Sequence, residues 1–333
     1  MLILATMRLA LAFGAISILV AGCHKADDPG ADIDGSIGSG GGSDAAVAGF
    51  TMLISRSWTV PSNTEAYKCV RVQIPNDTWI SAFRSLSPVG THHSVLTIST
   101  NNAALGEYDC NASSSLLDPQ MLYAAGINTD DNDLPDGVAI HVAAGTVLNL
   151  NLHLFNTTDN PITDTSGVLV KTMAAADVTN EADMQFSGRM YMGGTQPFQI
   201  PANATGDSTT VTPIKGGCQV AHDFHLFTLW PHMHQIAVHQ TFSITGATWG
   251  AGGGQGTTTL LDTDYTFTDQ KNYPMIDTVI HAGDQINTTC DYINTTGSMV
   301  TFGESSNNEM CFTGMYRYPA ANNLLACALG QSI

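Results

Sequence analysis

The sequence predicts an all-β protein built as two tandem antiparallel β-sandwich domains of jelly-roll type. Three observations carry this. The composition is rich in glycine (32 residues), and Thr, Val and Asn recur, while long runs of Glu, Lys, Arg and Leu are absent; strands and turns use these residues, helices do not. From residue 50 onward, short runs alternate apolar and polar positions between Gly or Pro turns. Examples are Tyr67-Lys68-Cys69-Val70-Arg71-Val72-Gln73-Ile74, Ser94-Val95-Leu96-Thr97-Ile98 and Val147-Leu148-Asn149-Leu150-Asn151-Leu152-His153-Leu154, with turns at Pro135-Asp136-Gly137 and Ala282-Gly283-Asp284. Finally, 333 residues exceed one comfortable core and suit two domains.

The elements follow in order. Residues 1–22 read as an export signal. Arg8 gives a weak positive region, and Leu9 to Val20 is apolar but too short for a ~30 Å bilayer. Val20-Ala21-Gly22-Cys23 resembles the bacterial lipobox, which makes Cys23 the expected lipidation site and the new N-terminus. The expected location is therefore the cell envelope, on the outer membrane, with the membrane touched only through the lipid. Residues 23–48, rich in Gly, Ser and Asp without an aromatic, read as a flexible tether. The break at Gly193-Gly194-Thr195-Gln196-Pro197 divides the remainder into domains 49–194 and 195–333. Residues 115–125 are the main candidate for a short helix or turn.

Charge narrows the function. With 29 acids against 11 bases, the formal net charge is -18, which excludes a phosphate backbone as partner. Once Cys23 is set aside, six of the seven cysteines remain: Cys69, Cys110, Cys218, Cys290, Cys311 and Cys327. An even number in an exported chain implies disulfides, and the lack of a CxxC pair argues against a thiolate zinc site. Spacing alone leaves the pairing open.

Histidines supply the chemistry. In Trp230-Pro231-His232-Met233-His234, two imidazoles at i and i+2 face one side of a strand, a common way for a β protein to hold zinc, copper or iron. Thr91-His92-His93-Ser94 offers an adjacent pair, which reaches one metal only if the strand bends or bulges there. His153 sits alone in an alternating run. Met310, in Asn307-Asn308-Glu309-Met310-Cys311, has no local mark of a ligand. His222, His225 and His239 flank the strongest motif and read as outer or surface residues. Asp130, Asp131, Asp133 and Asp136 read as a solvated acidic loop.

In order along the chain stand His92-His93, His153 with Asn156 and Pro161, Asp164 to Gly167, His232-x-His234 and Glu309-Met310-Cys311. Together they resemble the copper type II, ascorbate-dependent monooxygenases over about residues 50–330. The resemblance implies one copper site per domain, two coppers per chain. His92, His93 and His153 would hold the first, and His232, His234 and Met310 the second, which also does the catalysis. It implies a solvent-filled cleft keeping the two far apart, and disulfides Cys69–Cys110, Cys218–Cys327 and Cys290–Cys311. The implied activity is hydroxylation of a C–H bond of a small organic substrate, with dioxygen as oxidant and ascorbate as electron donor. The peptide-amidating branch grips a carboxylate with polar groups where this chain has Trp230, Phe312 and Gly314. A peptide substrate is therefore a poor expectation. A copper-binding envelope protein without catalysis is the alternative reading. A zinc hydrolase using His232 and His234 would lack a nearby catalytic acid.

Overall fold

The computed structural model describes residues 49–333, except 100–102, 112–113, 115–117, 119, 127–128, 191–196, 250–254, 304 and 322–324. The expected leader, Cys23, the tether and the break at 193–196 lie outside the described residues.

The strands are β1 (Thr51–Val60), β2 (Thr64–Gln73), β3 (Thr78–Leu86), β4 (Thr91–Ile98), β5 (Gly106–Asp109), β6 (Gln120–Gly126), β7 (Asn132–Asp133), β8 (Val138–Val142), β9 (Val147–Asn156), β10 (Ile162–Thr172) and β11 (Asn180–Glu181). They continue with β12 (Asp183–Arg189), β13 (Gln199–Ile200), β14 (Thr212–Gln219), β15 (Phe224–His232), β16 (Ala237–Gly246), β17 (Gly256–Asp264), β18 (Tyr273–Ile280), β19 (Gln285–Tyr292), β20 (Val300–Thr301) and β21 (Cys311–Tyr318). The all-β expectation holds. Residues 120–125, expected in a helix or turn, form most of β6 instead; its apolar face packs in the core, and β4 supplies its backbone partners.

One sheet runs β1-β10-β3-β8-β11, with β7 on β3, and a second runs β5-β2-β9-β4-β6. A third runs β12-β21-β15-β18, a fourth β14-β19-β16-β17, and β13 pairs with β20. Adjacent strands are antiparallel except β8 with β11.

Strand β9 shows how alternation builds a site. Leu148, Leu150, Leu152 and Leu154 fill the core on one face. Asn149, Asn151 and His153 form a row on the other, and this row is also buried. Burial without partners would be costly, and the partners are present. Asn149 donates to Asp118 (3.0 Å) and accepts from the Tyr108 hydroxyl (2.8 Å), while Asn151 donates to the Asn111 carbonyl (3.2 Å). His153 ends the row.

One apolar cluster crosses the expected boundary between residues 194 and 195, while two others lie wholly after it. Strand β12 lies before it in sequence yet pairs with β21, from Asp183 opposite Arg317 to Arg189 opposite Cys311. Its Met184 and Phe186 join Trp230, Phe312 and Tyr316 in one apolar cluster with Leu122, Leu150 and Phe83. Residues 46–333 consequently form one compact unit.

Disulfides join Cys69 to Cys110, Cys218 to Cys327 and Cys290 to Cys311. Two asparagines close matching corners. Asn156, the last residue of β9, donates to the carbonyls of Val60, Pro61 and Asn160 and accepts from Thr158. Asn294, after β19, donates to Ile200 and Ser298 and accepts from Thr296.

Candidate metal centre

The first candidate ligand set is made by two neighbouring strands. His93 on β4 lies directly opposite His153 on β9, so their imidazoles share a face. The register shifts between Thr91 and His93, which is the bulge that an adjacent His pair needs. Anchors hold it in place: the Thr91 and Trp58 side chains both meet the Ser166 hydroxyl, at 2.6 and 2.7 Å. Gly90 precedes the bulge with φ +102°, where a Cβ would lie 2.8 Å from the Trp58 ring, so only glycine fits there.

The result is a convergence of ring nitrogens. The Nδ1 atoms of His92 and His153 lie 3.2 and 3.3 Å from that of His93. Nitrogens bound to one ion at ~2.0–2.1 Å with tetrahedral angles stand about 3.3 Å apart. His153 has Nε2 2.6 Å from Glu65 Oε1, so its N–H points to the carboxylate and its Nδ1 lone pair points inward. The other two rings can set their nitrogens toward the same point, where a metal ion would be held by all three. The rings stay uncharged: burial lowers His92 and His153 to about 4 and drives His93 well below the usual range, and the neighbouring imidazoles add to it. These three residues suit a metal ion.

The second set is built differently. β15 ends at His232, and the chain turns immediately after it. His232 Nδ1 donates to the Gln270 amide oxygen and His234 Nδ1 to the Asn308 carbonyl, both at 3.1 Å. Each bond leaves Nε2 free as a lone pair. The two rings are 5.3 Å apart and almost perpendicular. Burial lowers His232 to about 3 and His234 to about 4. Met233 turns the other way into a separate core cluster, its carbonyl accepting from Tyr265 at 2.6 Å.

Met310 reaches this neighbourhood through Glu309. That buried carboxylate accepts from the backbone N–H of His234 (2.8 Å), Ile236 (2.9 Å) and Met310 (3.3 Å). Burial pushes Glu309 up to about 8, against the pull of these donors and the Ala237 N–H. The Tyr292 hydroxyl donates to the Met310 carbonyl at 2.6 Å, and the Cys290–Cys311 disulfide fixes the next residue. The Met310 side chain is buried among Phe312, Trp230 and their apolar neighbours.

The two sets adjoin, which corrects the expectation of a wide cleft. His93 and His232 have ring centroids 6.2 Å apart. Phe267 lies 4.1 Å from His92 and 6.1 Å from His234. The physical reason is the segment between β17 and β18. It carries Phe267 and Gln270 across the gap, and Thr129 donates to the Gln270 carbonyl. Gly126 leaves room for this: a Cβ there would sit 2.7 Å from that of Gln270.

The other described histidines stay outside. His222 is exposed. His225 meets Asp277 (2.9 Å), His239 meets Asp262 (2.8 Å), His281 meets Asp223 (3.2 Å), and His141 stacks on Trp79. The acidic loop is held by bases: Arg84 pairs with Asp131 (2.6 Å) and Lys171 with Asp133 (2.8 Å). Sequence reasoning missed Glu65, Tyr67, Phe267 and Gln270. Glu65 and Tyr67 at i and i+2 share a strand face, but nothing local says that β9 is their neighbour.

The positions of the lost carboxylate grip are filled with apolar groups. Trp230 stacks on His232 at 4.9 Å. Gly314 is its cross-strand partner, and a Cβ there would fall 2.2 Å from the Met184 methyl and 3.4 Å from Trp230. Phe312 packs 5.4 Å from Phe186.

Residues 189–331 match the family model of the copper type II ascorbate-dependent monooxygenase C-terminal domain. Over these residues, a little under half of the chain, the protein is similar to that family's C-terminal domain. The matched stretch contains His232, His234 and Met310, and the family is by its description one that depends on copper and ascorbate. No curated protein matches the chain. Among solved structures, infectious bursal disease virus, Gx strain, is 10% identical with a TM-score of 0.18, covering 83% of this chain and 75% of that one. A tandem carbohydrate-module structure from Paenibacillus barcinonensis Xyn10C, titled CBM22-1-CBM22-2, is 9% identical with a TM-score of 0.17, covering 78% and 80%. Likenesses at these scores carry no argument.

Proposed function

We propose that this protein is a copper-dependent monooxygenase that hydroxylates a C–H bond of a small organic molecule outside the cytoplasm. In this reading two tandem sandwich domains each bring one ligand set: His92, His93 and His153, and His232, His234 and Met310. The observation that carries it is the convergence of five neutral imidazoles, three buried and two half-buried, in a chain whose C-terminal part matches this family's model. Copper held there supplies activation of dioxygen for transfer of one oxygen atom, with ascorbate or another one-electron donor providing electrons. Imidazole accommodates both copper oxidation states, while the soft thioether of Met310 favours Cu(I). The chain's own residues orient the ligands: Glu65, Gln270 and Asn308 fix three ring tautomers, and Glu309 holds His234 and Met310 together. Trp230, Phe312 and Met184 make the surroundings apolar and exclude water, which fits an apolar or aromatic substrate rather than a carboxylate. The lipid on Cys23 would tether the enzyme to the cell envelope.

The test is metal analysis of the purified protein followed by oxygen uptake with ascorbate. Two coppers per chain and ascorbate-dependent uptake are expected. Met310→Ile should abolish the uptake while the copper of the three-imidazole set remains. A protein that holds two coppers and consumes no oxygen with any substrate panel would instead be a copper store or carrier. The absence of polar gripping groups at Trp230, Phe312 and Gly314 is what favours that second reading.

A further inference from the structure

We propose that Glu65 is a positioning residue for His153, and that its carboxylate biases the three-imidazole set toward the higher copper oxidation state. The inference rests on the copper reading above. Strand β2 carries Glu65 and Tyr67 on one face, two residues apart. Tyr67 is the cross-strand partner of His153. Its ring stacks on the imidazole at 4.5 Å, with planes only 3° apart, which fixes the ring's tilt. Glu65 Oε1 then takes the Nε2–H at 2.6 Å and also accepts from the Tyr67 hydroxyl at 3.3 Å. With Nε2 engaged, Nδ1 is the nitrogen left to face His93.

The contrast with the second set gives the role. His232 and His234 also donate their outer N–H, but to neutral oxygens: the Gln270 amide and the Asn308 carbonyl. Of the described outer partners, only Glu65 is an anion. A carboxylate behind an imidazole makes the ring a stronger donor and stabilises the more highly charged metal ion. A neutral oxygen does this much less. Glu65 therefore distinguishes the set that gives up an electron from the thioether set that keeps one.

The test uses copper-loaded full chain in which His232 and His234 are both replaced by Ala, so that the three-imidazole signal is read alone. Cu(II) is followed by electron paramagnetic resonance at a fixed mediator potential, with and without Glu65→Gln. The variant keeps the shape and an acceptor oxygen but removes the charge. A shift of about tenfold in the Cu(II)/Cu(I) ratio toward Cu(I) is expected, which is ~59 mV for one electron. Altered thermal unfolding with an unchanged ratio would reduce Glu65 to a structural role and overturn the proposal. Should Glu65→Gln not fold, Glu65→Asp retracts the carboxylate and should shift the ratio in the same direction; no shift overturns it equally. A wild-type chain that binds no copper fails the functional reading itself, a different outcome from a copper-loaded chain indifferent to Glu65.

Discussion

The two candidate ligand sets are built by opposite means. His93 and His153 sit on central strands whose register is fixed over many residues, and one bulge brings His92 in beside them. His232, His234 and Met310 sit where strands end, and a single buried carboxylate fastens the turn. The first set is a product of sheet geometry, so its precision is spread over many hydrogen bonds. The second is concentrated in Glu309 and its few donors. A concentrated device can move or fail without unfolding the rest.

Acid should separate the sets most strongly. An unfolded imidazole titrates near 6.5, whereas the folded values are about 4 for His92, His153 and His234 and about 3 for His232, with His93 also well below normal. Below 6.5 the unfolded chain takes up protons that the folded chain does not. Stability of the metal-free protein is therefore full above 6.5 and is lost as pH falls toward 4, by up to ~1.4 kcal/mol per pH unit for each proton. Glu309, raised to about 8, opposes this with one proton. Denaturant midpoints measured from pH 7 to 4 should fall steeply. Replacing His92, His93 and His153 together with Ala should flatten that fall more than replacing His232 and His234.

Glu309→Ala comes next. It strips several buried N–H groups of their acceptor, at a cost of roughly 3 kcal/mol or more. Metal analysis should show the two-imidazole set losing copper while the other keeps it. Equal loss from both sets would erase the distinction drawn here. The smallest effect belongs to Phe267→Ala. This ring is half-buried between His92 and His234, and its loss should lower stability by about 1 kcal/mol. Copper should then exchange with a chelator severalfold faster from both sets, since both lie under the same ring.

Much of this was legible in the sequence. The alternation of Val147 to Leu154 marks β9 and puts His153 in a polar row. His232-x-His234 announces a shared face, and His92-His93 announces the need for a bulge. What could not be read depends on partners distant in the chain. Strand β12 belongs with β21 because of a register across more than a hundred residues. Glu65 matters only because β2 lies beside β9. The closeness of His93 to His232 follows from Phe267 and Gln270, in a segment with no pattern of its own.

The Asn156 and Asn294 corners have a consequence for producing the protein. Each asparagine begins an Asn-x-Thr sequence, the acceptor pattern for N-linked sugar. Their side-chain amides are buried and already bonded to carbonyls from two segments of the chain. A glycan on either nitrogen has no place in the folded protein. In a eukaryotic secretory host, modification during synthesis would compete with closure of both corners, and the chains that fold would be those left bare at these two sites.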